Sequence, residues 1–154
     1  MGRIYKVTFS AISISAVQDL FEINPGTNKP FWLLGCKITQ SVSETSEQLR
    51  YTIERVTATF ASGSGGGSAV VAKCDPGDSA AGFTAERNNT TRATGTKEIL
   101  EDEGQNVING WLYQPTPKQI EIFTNGQPCI IGLPTAPGAA LTMSGVAYVE
   151  EVGG

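Results

Sequence analysis

The feature that most limits what this chain can fold into is a period-two alternation of apolar and polar side chains, broken at short intervals by turn-forming sequence. Tyr5, Val7 and Phe9 share one side of an extended segment, and Lys6, Thr8 and Ser10 share the other. Successive side chains of a strand point to opposite faces, so this spacing predicts a half-buried strand. Ile12 and Ile14 continue on even numbers. That change of parity near Ala11 predicts a bulge or a corner. Leu141, Met143, Ala147 and Val149 alternate in the same way with Thr142, Ser144, Tyr148 and Glu150.

Between these ends the pattern continues. VQDLFEI at 17–23 reads as a strand with Phe21 and Ile23 inward, closed by the turn sequence Asn24-Pro25-Gly26-Thr27-Asn28. FWLLGCKIT at 31–39 begins apolar on both faces, as a central strand covered on two sides at one end would. Residues 40–48 read as a polar loop. Residues 49–60 fit two periods. Leu49, Ile53, Val56 and Phe60 have helical spacing behind a Thr45/Gln48 capping box, while Leu49, Tyr51 and Ile53 alternate with Arg50, Thr52 and Glu54. The β-branched Thr52, Ile53, Val56, Thr57 and Thr59 favour a strand, with a parity change near Arg55.

SGSGGGS at 62–68 reads as a flexible tip or linker. Residues 69–74 read as a short strand with Val70, Ala72 and Cys74 on one side, followed by a turn at Asp75-Pro76-Gly77-Asp78. Glu101-Asp102-Glu103-Gly104 reads as a polar turn. The apolar run at 107–114 reads as a strand stopped by Pro115 and Pro117, neither of which can donate to a ladder. Residues 120–123 are expected to pair with 129–133 across Asn125-Gly126, a hairpin dipeptide.

The middle stretch, AAGFTAERNNTTRATGT at 80–96, has no apolar period. Its Asn and Thr side chains can bond back to the backbone in turns and extended loops. A long structureless stretch inside a compact domain is usually functional, and this one reads as a surface arm that meets a partner. The expected fold is therefore a single all-β domain over residues 1–154, a jelly-roll-like β-sandwich. It has about eight or nine short antiparallel strands, a loop arm at 80–96 and a flexible tip at 62–68.

Composition narrows the function. Charged residues make up only 17% of the chain, the net charge is −4, and the basic residues are scattered singly. Nucleic-acid binding needs a basic stripe that neutralises phosphates, so no nucleic-acid partner is expected. No window approaches the ~18 apolar residues of a membrane span, and MGRIYKVTF does not have the apolar core of a signal peptide. The expectation is a soluble protein made in the cytoplasm, without a membrane partner.

There is no histidine, and the three cysteines (Cys36, Cys74, Cys129) are far apart, so they read as buried apolar thiols. A Ser or Cys nucleophile lacks its usual base, and the acids lie mostly in turns, where a pair is hard to hold for glycoside chemistry. The glycine run lacks the Gly-Lys-Ser/Thr ending of a phosphate cradle. Asp75 with Asp78, and the cluster Glu101 to Glu103, read as solvated turns before they read as calcium ligands. Trp32, Trp111, Tyr113 and Phe123 read as core before they read as a sugar site. No enzyme, cofactor or metal is expected.

Six landmarks carry a resemblance. They are RIYKVTF at 3–9, AVQDLFEI at 16–23, Lys29-Pro30, GFTAERNNTT at 82–91, the strand ending in Trp111 followed by QPTP, and GVAYVEE at 145–151. In these the chain resembles a family of small virion structural proteins of tailed phages and prophages. Size and β-rich pattern are also similar to the jelly-roll decoration, or cement, proteins of phage capsids. The resemblance implies a homotrimer on the capsid surface of the virion that binds the major capsid protein, bridging its subunits and stabilising the assembled head. The expected interface residues are Arg3 and Tyr5 of the first strand, with Phe83, Glu86, Arg87, Asn88, Asn89 and Arg92 of the arm. Deleting residues 85–94 is expected to spare the core and abolish capsid binding. Two other roles fit the same pattern: a tail or head–tail connector component, and a receptor- or glycan-binding fibre tip.

Overall fold

The structure, a computed structural model, describes residues 2–42 and 46–153. Among them there is no helix, and twelve strands form two antiparallel sheets. The strands are β1 (Arg3–Ile14), β2 (Gln18–Asn24), β3 (Phe31–Val42), β4 (Gln48–Ala61), β5 (Gly67–Ser68), β6 (Val70–Lys73), β7 (Thr84–Asn89), β8 (Thr94–Asn106), β9 (Trp111–Tyr113), β10 (Glu121–Phe123), β11 (Cys129–Leu133) and β12 (Leu141–Glu151). Sheet A has the order β10-β3-β12-β1-β6, with β9 also on β3; sheet B has the order β5-β7-β2-β11-β4-β8.

The alternation expected of the first and last strands is present. Tyr5, Val7 and Phe9 face the core, and β1 pairs with β12 from Arg3↔Glu151 to Ile14↔Leu141. The register shifts between Phe9 and Ile12, where Ala11 has φ 52, so the parity slip is a bulge. The ambiguous segment at 49–60 is strand β4. Its register against β8 shifts at Ile53/Glu54 and twice more beyond Val56, and Thr59 has φ 52. Thr45 of the capping box lies outside the described residues.

The core is aromatic and closely stacked. Tyr51 lies on Trp111 with ring centroids 5.0 Å apart, and Phe31 lies on Phe123 at 5.3 Å. Phe9 of β1 meets Phe21 of β2 across the two layers at 5.1 Å. Cys36 and Cys129 are fully buried, and burial pushes both thiols up from their ordinary value. Cys74 is exposed, contrary to expectation, because Val71 is the β6 residue that packs on the core and the opposite parity faces solvent.

Several expectations need correction. The stretch at 80–96 is no arm: Thr84–Asn89 is a strand between β5 and β2, and β8 starts at Thr94. Residues 62–68 are no free tip. Ser64 and Thr91 exchange backbone hydrogen bonds at 2.9 and 3.0 Å, and β5 pairs with β7. Its glycines are needed for close approach, since a methyl on Gly66 would overlap the carbonyl oxygen of Arg87. Asn125-Gly126 does turn the chain, with Gln127 N–H donating to Thr124 O at 2.8 Å. It makes no hairpin, however, because β10 pairs in sheet A and β11 in sheet B. A turn dipeptide fixes a local reversal and not the partner strand. Glu101 to Gly104 lie within β8, where Arg50 holds Asp102 through two hydrogen bonds of 2.7 and 2.5 Å.

Candidate functional site

The two outer faces of the sandwich are treated differently, and the contrast defines the candidate site. Sheet B is crossed by its own chain. β7 and β8 are separated by β2, β11 and β4, so residues 90–93 must cross all three. Arg92 anchors the crossing. Its Nε donates to Asp19 Oδ1 of β2 at 2.6 Å and its Nη2 to Glu54 Oε1 of β4 at 2.8 Å. Lys97 adds a second cation 3.1 Å from Glu54, and Ala93 N–H donates to Asp19 Oδ2 at 2.6 Å. The guanidinium lies over β11 at Gly132, where a methyl would overlap it and sit 2.9 Å from Thr52 Oγ1. Ala93 packs in a small outer core with Val56, Ile130 and Phe60.

The buried charges respond to this setting. Burial pushes the Asp19 carboxyl above its ordinary value, against the pull of the Ala93 amide and Arg92. Burial acts on Glu54 in the same sense, but hydrogen bonds from Arg92 and Thr52 outweigh it and the carboxyl is held low. Beside this pair, Glu22 accepts from Ser62 Oγ at 2.5 Å, Gly63 N–H at 2.9 Å and Asn89 Nδ2 at 3.2 Å. Asn88 takes the left-handed conformation, φ 54, and accepts from Gln18 Nε2 at 2.8 Å. The asparagines and Arg92 thus hold the crossing segment down.

The other expected interface residues are equally engaged in the fold. Arg3 is ion-paired with the buried Glu151, which also accepts from Gly82 N–H at 2.6 Å. Tyr5 is fully buried and donates its hydroxyl to Ser79 O at 3.0 Å. Phe83 is core, edge-on to Tyr5 at 5.5 Å and tilted against Phe31 at 5.6 Å. Glu86 and Arg87 are half-buried on β7, where Glu86 accepts from Asn89 Nδ2 at 2.7 Å. β1 is flanked on both sides, by β12 and β6, and is no arm.

Among the described residues, sheet A has no such cover. An antiparallel sheet with one solvated face normally alternates apolar-in with polar-out. Here the outward positions include Trp32, Leu112, Ile122, Tyr148 and Val70, all exposed, with Ile4, Leu34 and Val146 half-buried. Paired positions bring them together: Ile122 is opposite Trp32, Trp32 opposite Glu150, and Glu150 opposite Ile4. A groove of about 400 Å³ opens among Ile4, Leu34, Leu112 and Tyr148. Exposed Lys6 and Lys37 stand on the same face, and Glu150 accepts from Gly2 N–H at 2.9 Å. Of the four aromatic residues weighed as a sugar site, Trp111, Tyr113 and Phe123 are buried and Trp32 alone is exposed.

This face was legible in the runs FWLL and WLY, which are apolar at both parities. The first, read as a strand end covered on two sides, marks instead an apolar outer face, and the second, read as an apolar strand, adds Leu112 to it. Among the described residues no group of three or more His, Cys, Asp or Glu is disposed to hold a metal ion. Comparison of the chain with family models, curated proteins and solved structures finds no match.

Proposed function

We propose that the chain is a non-enzymatic structural protein of a tailed-phage virion, a decoration protein that binds the assembled head as a trimer and bridges major capsid protein subunits. The observation that carries this reading is the open apolar face of sheet A on a sandwich whose other outer face is strapped by its own chain. Contiguous exposed apolar surface marks interaction sites. Five strands at ~4.8 Å spacing, over residues 32–40 of β3, span on the order of 700 Å². A standard protein interface takes about 800 Å² from each partner.

The strand order supports the jelly-roll wiring that the reading expects. Setting β5, β6 and β7 aside, sheet A runs β1-β12-β3-β9/β10 and sheet B runs β2-β11-β4-β8. Consecutive strands alternate between the layers from β1 to β4, as in two interleaved Greek keys. The excursion between β4 and β8 then adds β6 beside β1 and β7 beside β2. The mechanism is mechanical. A copy that touches several shell subunits raises the effective concentration of each further contact, so modest contacts sum to firm attachment.

The test adds the purified protein to heads lacking it and measures bound copies by cosedimentation, with light scattering for the trimer. Saturable binding with raised resistance of the head to heat is the expected result. Bare heads, with protein found only on tails or necks, would replace this reading with the tail-component one.

A further inference from the structure

We infer that the notch between β9 and β10 is the anchor point for the shell: it receives an apolar side chain of the major capsid protein, flanked by carboxylates that pair with Lys6 and Lys37. The inference rests on the proposed function and names the contact that carries it.

The notch follows from a broken edge strand. β9 pairs with β3 at Cys36–Ile38 and β10 pairs with β3 at Phe31–Leu33, both antiparallel and end to end along one edge. Residues 114–120, with Pro115 and Pro117, leave the sheet between them. Leu34 and Gly35 therefore face a gap on that edge, and β12 adds a register shift beside it, between Tyr148 and Val149. Gly35 puts no side chain into the gap, and a methyl there would lie 3.0 Å from Tyr113 O. The result is a concavity of about 400 Å³ with apolar walls from Ile4, Leu34, Leu112 and Tyr148. A buried aromatic or aliphatic anchor in such a pocket is where binding energy concentrates in protein interfaces.

The charges select the occupant. Lys6 is directly opposite Tyr148 in the β1–β12 pairing, and Lys37 is directly opposite Leu112 in the β3–β9 pairing. Each lysine thus stands beside a wall of the notch, and neither forms an ion pair among the described residues. Glu150 stands on the same face opposite Ile4, so the rim carries two lysines and one carboxylate, a net positive edge on a chain of net charge −4. Packing this face on the same face of a second copy would set one net positive rim against another, which electrostatic complementarity disfavours. An acidic segment carrying an apolar side chain satisfies both the walls and the rim.

The experiment measures binding to heads lacking the protein, at graded salt, for the wild type, Leu112→Asp, the double variant Lys6→Glu/Lys37→Glu, and Ile99→Asp on β8 as a control. All four substituted side chains are exposed, so folding is checked by the unfolding midpoint alone. Losses of at least about tenfold for the first two variants, an unchanged control and weaker wild-type binding at high salt are expected. Wild-type binding with both variants within about twofold of it overturns the notch while leaving the decoration reading intact. A wild-type oligomer that Leu112→Asp dissociates would show that a second copy fills the notch, and would also overturn it. A wild type that leaves heads bare overturns the proposed function and the anchor together.

Discussion

Replacing Arg92 with methionine keeps an apolar stem over Gly132 and removes the charge that holds residues 90–93 across sheet B. Asp19, whose side chain is fully buried, would keep only the Ala93 amide, while Glu54 would keep Thr52 and Lys97. Breaking a buried ion pair from one side costs about 3–5 kcal/mol. The lower end applies here, because the Arg92 side chain is 21% exposed and Glu54 retains a cation. A loss of about 3 kcal/mol corresponds, at a slope of roughly 1.5–2 kcal/mol per molar, to a urea midpoint lower by about 1.5–2 M. The assay is equilibrium urea unfolding of Arg92→Met, Asp19→Asn and the double variant. In the double variant the stranded carboxylate is gone, so Arg92→Met should cost at least about 1 kcal/mol less than in the wild type. Equal cost on both backgrounds, or a loss below about 1 kcal/mol in the wild type, would refute the clamp.

Four further outcomes are expected. Gly132→Ala should destabilise by about 1–3 kcal/mol in thermal unfolding by displacing the Arg92 guanidinium, and should cost less when Arg92→Met is already present. The Glu54 carboxyl is held below its ordinary value of 4.5, so its contribution is present above that value and lost as the pH falls through the lowered folded value. The penalty of Glu54→Gln, read from urea midpoints, should therefore be full at pH 7 and fade as the pH falls below 4.5. Native protein should react with a thiol reagent at Cys74 alone, and unfolded protein at all three cysteines, as counted by mass. Amide exchange should be slow at Ser64 and Thr91, which bond to each other, whereas a flexible glycine tip would exchange at once.

Much of the sandwich was legible because its strands bury one face. Tyr5 to Phe9, Phe21 with Ile23, and Leu141 to Val149 each show the alternation, and the slip at Ala11 marks a bulge. Strand β7 was not legible, because its polar side chains are themselves buried. Asn89 donates to Glu22 and Asn88 accepts from Gln18, so TAERNN buries polar side chains and lacks the apolar period that announces a strand. Its order comes from partners distant in sequence: Glu22 lies 67 residues from Asn89, and Gln18 lies 70 from Asn88. The pairing of β10 was hidden for a related reason. Asn125-Gly126 describes its own turn and carries no information about the layer to which the next strand belongs. The open face was visible in FWLL and WLY as apolar residues at both parities. Only the missing cover over sheet A distinguishes it from a core strand.

The most direct test of the account is a cryo-electron microscopy reconstruction of heads to which the protein has been added. Ordered density at repeated shell positions is expected, with the sandwich oriented so that Trp32, Leu112 and Tyr148 of sheet A meet the shell and the strapped face of sheet B points away. Density with sheet B against the shell would contradict the assignment of the face, and heads without added density would contradict the decoration role itself.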